Sequence, residues 1–208
     1  MEGQEYLNQL AAEARPTKQK NGLLSSKTLI VLLIALVVVV LFGIVMGIIN
    51  GNKGGEQKLG TALKLHIDNT STIIQTYQPK VKSSDLRSSS ASLYSVLSNT
   101  TTELTDYLVE KYNFKPKKVD KKVTAEADEA SEELDAELFE AKINGNLDRI
   151  YAHKMAYEIS LFLAEEAKLM ETSKNETLDE LLKKSYDSLE NLYPKFNDFS
   201  ETKTIRKE

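Results

Sequence analysis

Met155-Ala156-Tyr157-Glu158-Ile159-Ser160-Leu161-Phe162-Leu163-Ala164 is the stretch whose reading decides the fold. Apolar side chains fall at nearly every position, so there is no alternation of period two, and a helix drawn through the stretch is apolar on almost all sides. Such a helix must be covered by others, which makes it the centre of a bundle. Followed outward, it runs from about Leu147 to Thr172. Asn144-Gly145-Asn146 breaks the chain just before it, because glycine supports a left-handed helix cap.

The flanking segments carry one-sided helical stripes. Upstream, a third helix places Val123, Ala127, Ala130, Leu134, Leu138 and Ala141 on one face, and Glu126, Glu129, Glu133, Glu137 and Glu140 down another. Downstream, a fifth helix uses Leu178, Leu181, Leu182, Leu189 and Leu192 before Pro194 ends it. A first helix from Glu56 to Gln78 carries Leu59, Leu63, His66, Thr70, Ile74 and Tyr77, and Pro79 stops it. Ser83 or Ser84 then caps a second helix running to Asn113, with Leu86, Leu93, Leu97, Leu104 and Leu108 inward. The expected fold is all-α: an antiparallel bundle of four or five helices over residues 56–196, with a frayed tail at 197–208.

Ahead of the bundle, Leu29 to Ile49 reads as 21 consecutive apolar residues. At 1.5 Å per residue this matches roughly 30 Å of bilayer hydrocarbon. The run is too long for a cleaved signal peptide and predicts a retained transmembrane signal anchor. Arg15, Lys18, Lys20 and Lys27 precede it, against Lys53, Lys58 and Lys64 after it. That bias puts residues 1–28 in the cytoplasm and the long C-terminal part outside the plasma (inner) membrane. Residues 50–55, rich in Gly and Asn, form a flexible tether. Gly43 and Gly47 make a small-x-x-x-small pair; it either brings two anchors together or reflects the ordinary abundance of glycine in membrane spans.

Composition excludes several functions. The chain has 208 residues and no cysteine, ruling out a disulfide scaffold, a Cys-ligated metal and a thiol nucleophile. The net charge is −4, and the part beyond the span is mildly acidic, so nucleic acid is not an expected partner. A carboxylate-bridged di-iron site needs Glu-x-x-His on two helices. Leu63 stands three residues before His66 and Ile150 three before His153, so no metal or cofactor is implied. There is no Gly-x-Ser-x-Gly elbow and no phosphate loop, and no catalytic residue is assigned.

A buried polar site is drawn from Glu158, Lys154, His66 and His153. Glu158 sits among apolar neighbours and either pairs with Lys154 one turn back or is a buried functional carboxylate. His66 is read as a core-edge imidazole. Lys115, Lys117, Lys118, Lys121 and Lys122 mark the connection after the second helix, as a contact for an anionic surface or as a solvated tip.

Leu147-Asp148-Arg149-Ile150-Tyr151, opening the fourth helix, resembles the Phe-Asp-Arg-Ala-Tyr signature of uncharacterised exported bacterial ferritin-like four-helix proteins. Ile67-Asp68-Asn69-Thr70 is similar to that family's Asp-His-Thr stretch, with Asn69 in place of the histidine. The resemblance implies a membrane-anchored helical bundle over residues 56–195 and no activity. The expected function is a non-catalytic interaction or scaffold module of the cell envelope, its partners being the lipid bilayer and a second copy or a membrane protein. The alternative is a small-molecule sensing bundle that signals through a partner. If it is an interaction protein, the all-round apolar fourth helix is the expected contact surface where its neighbours leave it uncovered, unless the third helix, with Leu134 and Leu138, closes the gap.

Overall fold

A computed structural model describes residues 54–115, 119 and 121–205, with side-chain environments to residue 199. The expected span Leu29–Ile49 lies outside the described residues, as do Gly43, Gly47, Lys117 and Lys118. Among the described residues no helix is long and apolar enough to cross a membrane.

Five helices form the domain: α1 (Gly55–Tyr77), α2 (Ser84–Tyr112), α3 (Lys121–Ile143), α4 (Leu147–Thr172) and α5 (Glu176–Ile205), with a 3-10 turn at Gln78–Lys80. No strand occurs among the described residues. The turns have local causes. Pro79 sits in the 3-10 turn, and the Ser83 hydroxyl accepts the orphan Leu86 N–H at the start of α2. Asn113 closes α2 in the left-handed region at φ 51°, and Gly145 sits at φ +71° between α3 and α4.

Side-chain bonds fix the directions of the helices. Asp68 meets Thr101 and Gln75 meets Tyr94, so α1 and α2 run antiparallel. Thr100 meets Ser185, and Glu103 meets Lys184, giving the same relation between α2 and α5. Asn69 and Tyr77 reach the Ala127 and Asp135 carbonyls, an equal advance on both chains, so α3 lies parallel to α1. Helices α1, α2, α5 and α4 make a closed ring of neighbours, and α3 packs outside it, across α1 and α4.

The core is leucine-rich. Leu63, Leu86, Leu93, Leu97, Leu104, Leu108, Leu138, Leu182 and Leu189 are all buried, each side chain contributing about 1.5–3 kcal/mol by its removal from water. Gly60 lets α1 approach α2 closely, since a Cβ there would meet Leu108 Cδ2 at 3.1 Å.

Two expectations are corrected. Pro194 does not end the last helix; it sits inside α5, which continues to Ile205. Pro194 and Glu190 are both exposed, so the carbonyl that proline leaves without an intrahelical donor lies on the solvent side, and buried Phe196 holds the next turn down. The face of α3 expected inward is only partly so, since Ala130 is exposed and only Leu134, Leu138 and Ala141 are buried. The apolar stretch of α4 is covered, as a central helix must be: Met155–Ala164 has no exposed residue, with Tyr157, Leu161 and Leu163 half-buried, so the condition for an apolar contact surface there is not met. The large exposed apolar side chains are instead Val109 on α2 and Phe139 and Ile143 on α3.

Candidate functional site

His66 is the polar side chain that joins α1 to α4. The α1 stripe that buries Leu63, Ile67 and Thr70 aims the ring at α4. There Glu158 and Glu165, two turns apart, bracket it: Nε2 lies 2.7 Å from Glu158 Oε2 and Nδ1 2.9 Å from Glu165 Oε2. Phe162, between the two glutamates, packs against the ring at 4.3 Å between centroids, tilted by 40°. Burial alone would lower the imidazole's pKa; the charge on Glu165 and the hydrogen bonds to Glu158 and Glu165 outweigh it and raise the value to about 10. At neutral pH the ring is therefore an imidazolium donating from both nitrogens. It has no lone pair for a metal or for proton abstraction. Chemically it is a clamp between α1 and α4.

Of the four residues grouped from the sequence, the structure brings His66 and Glu158 together and leaves Lys154 and His153 elsewhere. The Lys154 ammonium pairs with Glu137 on α3 rather than with Glu158. Its long stem carries the charge to the wetter edge of α4, while Glu158 turns inward to α1. His153 is exposed. Glu165 was not singled out, although its seven-residue spacing from Glu158, with Phe162 between, places all three on one helical face.

Glu166, the next residue, faces the other way and is 0% exposed. Its Oε1 accepts from the Ser185 hydroxyl at 2.6 Å, and Ser185 accepts from Thr100 at 2.8 Å; its Oε2 has no hydrogen-bond partner. Burial pushes its pKa up to about 8, with the Glu165 charge adding to the rise against the Ser185 bond. At neutral pH it is a neutral acid in the core.

Two further clusters tie off helix ends. Glu56 Oε1 accepts from Lys111 and Tyr112, each at 2.8 Å, and from Tyr107, joining the start of α1 to the end of α2. Asp148, in the stretch that carries the family resemblance, accepts from the Lys82 and Ser83 backbone N–H groups, both at 2.9 Å. That carboxylate holds the α1–α2 connection against the start of α4. Asn69, standing where the resembled family has histidine, donates to the Ala127 carbonyl at 3.0 Å.

Lys115, Lys121 and Lys122 are all exposed, at the end of α2 and the start of α3. Among the described residues no three His, Asp or Glu side chains are grouped to hold a metal. An open groove of about 440 Å³ runs between α1 and α3, lined by residues that include Thr72, Thr76, Glu132, Asp135, Ala136 and Phe139. A smaller concavity, about 60 Å³, lies between α2 and α5 beside Thr100 and Ser185. No protein-family model, curated protein or solved structure matches this chain.

Proposed function

We propose that this chain is a single-pass membrane protein whose extracytoplasmic helical bundle is a non-catalytic interaction or scaffold module. Leu29–Ile49 supports the anchor, being 21 residues without a charge. The interaction reading rests on one observation. The polar clusters inside the bundle are spent on holding helices together, whereas an open surface groove lies between α1 and α3 with exposed Phe139 in its lining. Small-molecule sites enclose most of their ligand, and an open groove between two helices suits a macromolecular partner.

Both halves of the reading are testable in cells making the full chain. The protein should stay in the membrane pellet after alkaline carbonate extraction, and protease added outside should digest the bundle. A photo-crosslinking residue at position 139 should give a discrete adduct, and one at exposed Ser92 on α2 should not. Equal or no adducts at the two positions would remove the interaction reading; release by carbonate would remove the anchor.

A further inference from the structure

We infer that the α1–α3 groove is a docking surface for a cationic amphipathic helix of another protein, an inference that rests on the interaction reading above. Its two walls differ in chemistry. On α1, Thr72 and Thr76 line the groove with their hydroxyls spent on the carbonyls of Asp68 and Thr72 of their own helix. On α3, Phe139 is 54% and Ile143 68% exposed; four residues apart, they stand one turn from each other on the helix surface. These are two of the three large apolar side chains left exposed among the described residues. Each forgoes much of the stabilisation that full burial would contribute. A helix offering apolar residues at i and i+4 is the shape that covers such a ridge.

Charge selects the partner. Glu132 and Asp135 line the groove, and Glu129 and Glu140 lie along the same helix; all four are exposed and none has an ion-pair partner among the described residues. An acidic face alone is a solvated face, but here it borders the uncovered apolar ridge. Two copies of this chain meeting symmetrically through the groove would set one acidic rim against the other, which like-charge repulsion opposes. An anionic bilayer surface is repelled for the same reason. Lysines flanking an apolar stripe answer both features of the groove.

The test uses the full chain in neutral maltoside micelles, with empty micelles as the blank. The probe is a fluorescent 18-residue helix with Leu at i, i+3 and i+4 and Lys elsewhere, compared with its Leu/Glu counterpart. The Lys helix should bind and the Glu helix should not. Phe139→Ser should weaken binding by roughly tenfold or more, about 1.4 kcal/mol. Glu132→Gln with Asp135→Asn should weaken it similarly and flatten its salt dependence. Val109→Ser, at the exposed site on α2, should leave it unchanged, and all three variants should keep the wild-type circular dichroism spectrum. Equal binding by wild type and both groove variants, or by both helices, overturns the inference. Self-association that Phe139→Ser abolishes would also overturn it, by making a second copy the occupant, yet would leave the interaction reading standing. Failure of the position-139 crosslink in cells removes both.

Discussion

Nε2 of His66 on α1 lies 2.7 Å from Oε2 of Glu158 on α4, and the ring's other nitrogen is held just as closely by Glu165. One protonated ring thus keeps two carboxylates in a shared, largely desolvated contact. Its removal leaves them facing each other without a counter-charge.

His66→Gln is expected to lower stability by about 2–3 kcal/mol at pH 6. This falls below the roughly 3–5 kcal/mol for breaking a fully buried pair, because the ring remains 22% exposed. The pH dependence has a definite sign. The folded value of about 10 lies above the ordinary 6.5, so the folded state holds the proton more tightly. The contribution is complete below pH 6.5 and is lost as pH rises towards 10. Urea titrations of the full chain at pH 6, 8 and 10 should show this loss in the wild type and not in His66→Gln. Parallel profiles would show that the ring carries no extra proton in the fold.

Glu166 adds a second, lower window. Its folded value of about 8 stands above the ordinary 4.5, so folding favours the neutral acid and stability declines as pH rises from 4.5 through 8. Glu166→Gln keeps an acceptor for Ser185 and cannot ionise. It should flatten the profile in that window and exceed the wild type at pH 8 by about 1 kcal/mol. A Gln variant less stable than the wild type at pH 8 would mean that the carboxylate is solvated or paired in the fold.

Helix α3 should open before the ring of four. Only Leu134, Leu138 and Ala141 along its length are buried, against ten residues in α4. Hydrogen exchange is expected to proceed faster at α3 amides, most of all over residues 121–133, than in the middle of α4. Leu138→Ala, costing about 2–5 kcal/mol at a fully buried site, should widen that gap. Uniform protection across both helices would show α3 to be an integral part of one cooperative unit.

Pro194→Ala should stabilise the protein. An internal proline costs a helix about 3 kcal/mol, partly offset by the freedom it removes from the unfolded chain, so a net gain of about 1–2 kcal/mol is expected. The side chain is exposed, so no packing is lost. A rise in the urea midpoint with unchanged slope is the signature. A fall would show that the chain does not continue as helix through residue 194.

Periodicity and breakers by themselves determined that the described chain is helical, where the first, second and fourth helices begin and end to within a residue or two, and most of the buried leucines, Leu181 being only half-buried. Those features follow from local rules: Pro79, Asn113 and Gly145 act through their own backbone, Ser83 through a hydroxyl three residues from the N–H it caps, and a stripe at spacing three and four has one face to bury. Pro194 misled because a local rule was overridden by the burial of Phe196 further along. The site needed tertiary structure. Which of Lys154 and His66 meets Glu158 depends on the rotation of α4 against α1 and α3, and on a 92-residue separation that no local pattern encodes. The same is true of the groove. The sequence shows an acidic helix with a leucine stripe, but only the packing of α3 outside a closed ring of four leaves Phe139 and Ile143 in water, since three buried side chains complete its contact and nothing else in the described chain covers the rest.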